Sequence, residues 1–207
     1  MYPQSNSARS VRDLSGVWDF RFNADEPWQP IAVPASYNDQ SPDPEFRRHY
    51  GMAYYRTTFT VPEGARRVLR FDAVTHNAVV RLNGQEIASH RGGFLPFEAD
   101  ITALAQPGET VTLDVEVDNR IGHSSLPVGN EGGTAFFGSD NAGIPAVEAG
   151  KARQQAQGIN LPNFDFFNYA GITRPVRLYT TPAAYIRDIT LVPGADGTLH
   201  YTVDTVG

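Results

Sequence analysis

With 207 residues, 41% of them hydrophobic and 11% aromatic, the chain can bury the core of one or two domains. Its net charge of −6 argues against a nucleic-acid binder, which needs a basic face, and weakly against an anionic membrane surface. The chain has no cysteine, so disulfides, thiolate metal sites and a cysteine nucleophile are excluded.

The opening residues, Met1 to Arg12, are polar and contain Pro3. They lack the apolar stretch of a signal peptide, and no run approaches the ~20 apolar residues of a membrane helix. A cytoplasmic location is expected, although a trimmed secreted form would read the same way. Trp18, Phe20 and Phe22 then alternate with Val17, Asp19 and Arg21. Tyr55, Thr57, Phe59 and Val61 share one parity. This period of two is the pattern of half-buried strands. Asn83-Gly84, between Val79–Leu82 and Gln85–Ile87, supplies the two positive φ angles of a type I′ turn and predicts a hairpin. Gly92-Gly93 precedes a strand, not a helix, and reads as a turn or bulge.

Val111, Leu113, Val115 and Val117 alternate with Thr112, Asp114, Glu116 and Asp118, predicting an inward apolar face and an acidic face in water. From Ile121 to Leu161 the alternation is lost and glycine is frequent. A loop of that length is functional or disordered. Within it, residues 146–156 are the one stretch that reads as helical, for a turn or two around Gly150. Strand pattern returns at Val176–Tyr179. Two last strands, Tyr185–Val192 and Leu199–Val203, flank the turn signal at Pro193–Gly197. Many short strands with turns at regular spacing predict an all-β sandwich.

Chemistry concentrates in Phe164–Ile172. Four aromatic rings, Asp165 and Asn168 lie within nine residues. Rings cover the apolar face of a sugar, and Asp and Asn hydrogen-bond its hydroxyls. On composition alone, Phe166, Phe167 and Tyr169 read first as core residues at a strand end. The histidines His49, His76, His90, His123 and His200 form no metal-binding spacing and read as surface or strand residues; no metal site is expected. Trp18, Trp28, Phe94 and Phe97 are expected in the core.

The run Asp165–Ile172 resembles the β-glucuronidases of glycoside hydrolase family 2. So do Arg70–His76, Gly92–Ile101, Ser36–Gln40 and Leu178–Pro182, and the opening pair Tyr2–Gln4 and Leu14–Trp18. The resemblance implies an N-terminal sugar-binding jelly roll over residues 1–181. Residues 182–207 would then be the first strands of an incomplete immunoglobulin-like sandwich. The family's two catalytic glutamates sit on a (β/α)₈ barrel, and a barrel alone needs ~250 residues. No acid, base or nucleophile is therefore expected in this chain, which should be inactive alone. Its expected partner is a β-glucuronoside, with no cofactor, and the parent enzyme is expected to be a homo-oligomer. The resemblance assigns Asp165 to hydroxyls of the terminal sugar. Asn168 either assists or holds the loop, and Asn38 is a weaker candidate on a neighbouring loop. A stand-alone carbohydrate-binding module, or the same domain of another family 2 enzyme such as a β-galactosidase, stays open as an alternative.

Overall fold

The computed structural model describes residues 2–121, 125–126, 160 and 166–207. The expected helical turns at 146–156 and most of the long loop lie outside them. The described strands, in chain order, are β1 (Val11–Asp13), β2 (Gly16–Arg21), β3 (Gln29–Val33), β4 (Met52–Thr60), β5 (Arg66–Phe71), β6 (Val74–Thr75) and β7 (Asn77–Leu82). There follow β8 (Gln85–Arg91), β9 (Phe97–Asp100), β10 (Thr110–Asp118), β11 (Gly171–Ile172), β12 (Val176–Thr181), β13 (Tyr185–Pro193) and β14 (Leu199–Val206). One 3-10 turn, Tyr37–Asp39, and one short helix, α1 (Pro44–Arg48), interrupt them.

Six strands form one antiparallel sheet in the order β3-β2-β4-β10-β7-β8, and four form another in the order β1-β12-β5-β9. β6 and β11 pair separately, as do β13 and β14. The two large sheets share one core. Trp18, Phe20, Tyr55, Val80 and Leu113 of the larger join Leu69, Phe71, Val176 and Leu178 of the smaller. The architecture is a jelly-roll β-sandwich, as expected. β10 follows the alternation read from the sequence, with Val111, Leu113, Val115 and Val117 all buried. The Asn83-Gly84 turn has φ of 49° and 83°, the left-handed pair that a type I′ turn requires.

The outer face of the large sheet carries a rung of alternating charge. Asp19 lies opposite Arg56, Arg56 opposite Asp114, Asp114 opposite Arg81, and Arg81 opposite Glu86. The Arg56 Nε donates to Asp114 at 2.6 Å. Such exposed pairs contribute well under about 1 kcal/mol each. They keep the solvent face polar while the opposite face packs. On the smaller sheet Asp72 is buried between Arg70, whose Nε donates at 2.8 Å, and Arg177.

Three features depart from the sequence reading. Trp18 is buried, with its indole N–H donating to the Leu14 carbonyl at 2.9 Å, and Phe97 stacks between Phe71 and His90. Trp28, however, is only half-buried, with the guanidinium groups of Arg21 and Arg56 at 4.1 and 4.7 Å from its ring centre. Phe94 is 49% exposed in the turn between β8 and β9. Charge on the outer face holds Trp28 there, and the Gly92-Gly93 turn carries Phe94 past the sheet. Helix α1 was also missed. Its signals are Asp43, whose carboxylate accepts from the Glu45 N–H at 2.9 Å, and Pro44 at the first helical position.

β13 and β14 pair over their length, yet Ile186, Ile189, Leu191, Leu199 and Tyr201 are exposed. A two-stranded ribbon without a covered face is marginal in water. Hydrogen exchange on the 207-residue chain is expected to show Ile189 and Val203 at least about a hundredfold less protected than Val115 in the sandwich. Equal protection would mean that the ribbon is anchored by more than its own pairing.

Candidate functional site

The segment from Phe166 to Ile172 is fixed by side-chain amides. Asn168 is buried; its Nδ2 donates to the Asn119 carbonyl at 2.8 Å. Asn38 is buried as well. Its Nδ2 donates to the Phe46 carbonyl and its Oδ1 accepts from the Ala170 N–H, both at 2.9 Å. The Asn160 Nδ2 donates to the Asn168 carbonyl at 2.8 Å, and the Asn160 N–H donates to the Arg48 carbonyl at 2.7 Å. Asn119 in turn accepts from the Gly51 N–H and donates to the His49 carbonyl. Four asparagines thus stitch the segment to α1, to the end of β10 and to the turn at Tyr37. Asparagine suits this task because one amide offers donors and an acceptor that match a backbone on two sides.

The structure brings Asn38 and Asn168 to the same clamp, with their amide groups engaged by the protein. Asp165 lies outside the described residues. Ala170 and Ile172 are core, whereas Phe166 and Phe167 are half-buried and Tyr169 is exposed. Phe167 and Tyr169 meet edge to face at 4.7 Å, beneath the Arg47 guanidinium. The rings are therefore a surface cluster, not the end of a buried strand. Gly171 has a steric reason. Its φ is +125°, and a Cβ there would stand 2.6 Å from the Tyr55 hydroxyl.

His76 is the residue that sequence reading missed. It is fully buried, and its Nε2 meets the Asn168 Oδ1 at 2.5 Å. Because the Asn168 Nδ2 is already donating, Oδ1 is the acceptor and His76 Nε2 carries the proton. Neutral His76 then leaves Nδ1 a bare, buried nitrogen with no partner among the described residues. Burial pushes its pKa below the ordinary value of 6.5, against the opposing pull of Asn168 and Asp118. His49, stacked on Phe22 at 3.9 Å, is shifted down by burial too. A histidine whose folded pKa is depressed binds its proton more readily when unfolded. Stability is therefore full above the unfolded value and falls as pH drops below about 6.5. The melting temperature is expected to fall from pH 8 to pH 5.5, and His76→Gln, which keeps a donor for Asn168, should flatten part of that slope. An unchanged slope would show that His76 is not the group taking up the proton.

Beside the clamp lies a pocket of about 530 Å³, with Asn38, Asp39, Arg47, Arg48, Asn160 and Phe167 in its wall. Arg47 pairs with Asp39. The Asn160 Oδ1 is buried and has no hydrogen-bond partner among the described residues. Leaving such a buried acceptor unmatched costs about 1–3 kcal/mol.

The two packed antiparallel sheets and the loop clamp at their rim define a jelly-roll binding domain. The chain belongs to the sugar-binding domain family of the glycosyl hydrolases of family 2, whose model matches residues 11–182. It is similar in structure to a β-glucuronidase of Faecalibacterium prausnitzii, with a TM-score of 0.82 and 57% identity over 100% of this chain and 37% of that one. It is also similar to the β-glucuronidase of Bifidobacterium dentium complexed with coumarin-3-O-glucuronide, with a TM-score of 0.77 and 49% identity over 100% of this chain and 37% of that one. A β-glucuronidase of Paenibacillus borealis is 36% identical over 99% of this chain and 35% of its own length. The chain spans about a third of the length of the curated relatives it matches.

Proposed function

We propose that the whole protein is a retaining β-glucuronidase and that this chain is its sugar-recognition part. The observation that carries the reading is 57% identity with a solved β-glucuronidase over the full 207 residues. A retaining enzyme uses two carboxylates about 5–5.5 Å apart, one as nucleophile and one as acid and then base. We assign that pair to a barrel beyond this chain. Here Asp165 accepts hydroxyl hydrogen bonds from the terminal sugar. Asn168 and Asn38 hold the segment that follows it, and through it the geometry of that contact. Residues 182–207 open a second sandwich, and its remaining strands would cover the exposed apolar face of β13 and β14. The whole protein works as a homo-oligomer and without a cofactor.

Turnover tests this directly. The whole protein is expected to hydrolyse a chromogenic β-glucuronide in preference to the matching β-galactoside. The 207-residue chain alone is expected to hydrolyse neither. Preference for the galactoside, or activity of the short chain that disappears when one of its own carboxylates is removed, would overturn the reading.

A further inference from the structure

We propose that Asn83 is a self-modification site, where the backbone nitrogen of Gly84 attacks the side-chain amide and the folded protein converts this asparagine to aspartate and isoaspartate. Three observations carry it. First, Asn83 is the one asparagine of the sequence that glycine follows, and both residues are exposed at the tip of the β7–β8 hairpin. Nothing stands within 4 Å of where a Gly84 Cβ would be, so no side chain hinders the attacking nitrogen. Second, the Gly84 N–H makes no hydrogen bond among the described residues. Third, the Asn83 side chain is held in a pose that suits the reaction. Its Oδ1 accepts from the Thr112 N–H at 2.9 Å, whereas its Nδ2 reaches the Glu109 Oε1 only at 3.4 Å. Attack on Cγ places negative charge on Oδ1, and the Thr112 N–H is already aimed there, as a backbone donor is at an acyl-transfer site. The departing nitrogen is the loosely held one.

Hydroxide removes the Gly84 amide proton and becomes water. The nitrogen forms a bond to the Asn83 Cγ, the Cγ–Nδ2 bond breaks, and the amide leaves as ammonia after taking a proton from water. A second water then opens the five-membered imide. Opening at one carbonyl gives aspartate; opening at the other gives isoaspartate, whose backbone runs through the side-chain carbon. Nothing is oxidised or reduced, and the net change is one water in and one ammonia out. Both products alter the turn. A carboxylate at position 83 faces that of Glu109, and like charges across strands destabilise a sheet. Isoaspartate also adds a methylene to a two-residue turn whose Asn83 N–H donates to the Thr112 carbonyl at 2.8 Å. Thr112 lies near the start of β10 and Asn119 just beyond its end, so the change falls at the opposite end of the sheet from the clamp.

The test is peptide mapping by mass spectrometry of the 207-residue chain, aged in mildly alkaline buffer at body temperature, both folded and in urea. Peptides holding residue 83 are expected to gain about one dalton and to separate into aspartate and isoaspartate forms. They should convert at least about tenfold faster than those holding Asn6 or Asn23, exposed asparagines that are followed by a residue with a side chain. Conversion at Asn83 is expected to be at least as fast in the folded chain as in urea, where the Thr112 N–H no longer meets Oδ1. Asn83→Gln, whose longer side chain has to close a larger ring, should stay unmodified over the same period. The proposal is overturned by slower conversion in the folded chain than in urea, by equal rates at Asn83 and the other exposed asparagines, or by an equal gain of mass in Asn83→Gln. None of these results depends on sugar binding or hydrolysis, so the proposed function and this site fail separately.

Discussion

Asp165→Ala in the whole protein is expected to cut kcat/KM for a β-glucuronide by on the order of 10²–10³, about 3–4 kcal/mol, with no loss of melting temperature. A sugar hydroxyl bound to a charged acceptor in a closed pocket is a strong contact, and its loss leaves the catalytic pair in place. The structure explains why the fold should survive. The residues that follow Asp165 are held by Asn38, Asn119, Asn160 and His76, whose bonds run to the Asn168 side chain and to the Asn168 and Ala170 backbone. None of those bonds uses the Asp165 carboxylate. If Asp165 instead caps its own loop, the variant should melt lower and keep its kinetics once folded. Kinetics and melting measured on the same preparation separate the two, and near-wild-type kcat/KM would remove Asp165 from the site.

Phe20→Ala is expected to remove about 3–5 kcal/mol of stability, the usual range for emptying a buried aromatic position. Phe20 is fully buried, and its ring meets those of Phe22, Tyr55, Tyr37 and Phe46 at 4.8 to 5.7 Å. Against a total of about 5–15 kcal/mol this is a large share, and it corresponds to a drop of roughly 6–20 °C in Tm. Phe46 belongs to α1, and Tyr37 begins the turn that carries Asn38, so the cavity opens directly beneath the clamp. Val17→Ala on the same strand is the control. Val17 is 74% exposed, and its loss should stay within about 0.5 kcal/mol. Similar midpoints for the two variants in a denaturant titration would contradict the packing described for this face.

The strands were legible because a period of two is local. Trp18 and Phe20 point in and Asp19 points out for reasons visible within six residues. Asn83-Gly84 announces its turn in two. The choice of a jelly roll over other sandwiches came from resemblance, since strand order depends on pairings that no short window contains. Trp28 was misplaced for the same kind of reason: the guanidinium groups that keep it at the surface come from β2 and β4. The clamp was only half visible. Asn38 and Asn168 could be singled out, yet a lone histidine at position 76 carries no sign that it will meet an asparagine 92 residues later. The pocket was invisible too, because Asn160 falls in the stretch that reads as loop and Arg48 belongs to helix α1, which the sequence reading did not find.

The clamp has a further consequence for how the molecule becomes competent. Its bonds join positions 49, 92 and 132 residues apart in the chain. Each closes a long loop, an entropic debt that grows with loop length and is settled only when the sheets supplying both ends are already in place. The segment after Asp165 is thus expected to be among the last parts to order during folding and among the first to lose its shape. Sugar recognition then reports on the integrity of the whole sandwich. A lesion at the far edge of either sheet would appear first as fewer binding-competent molecules of unaltered intrinsic affinity.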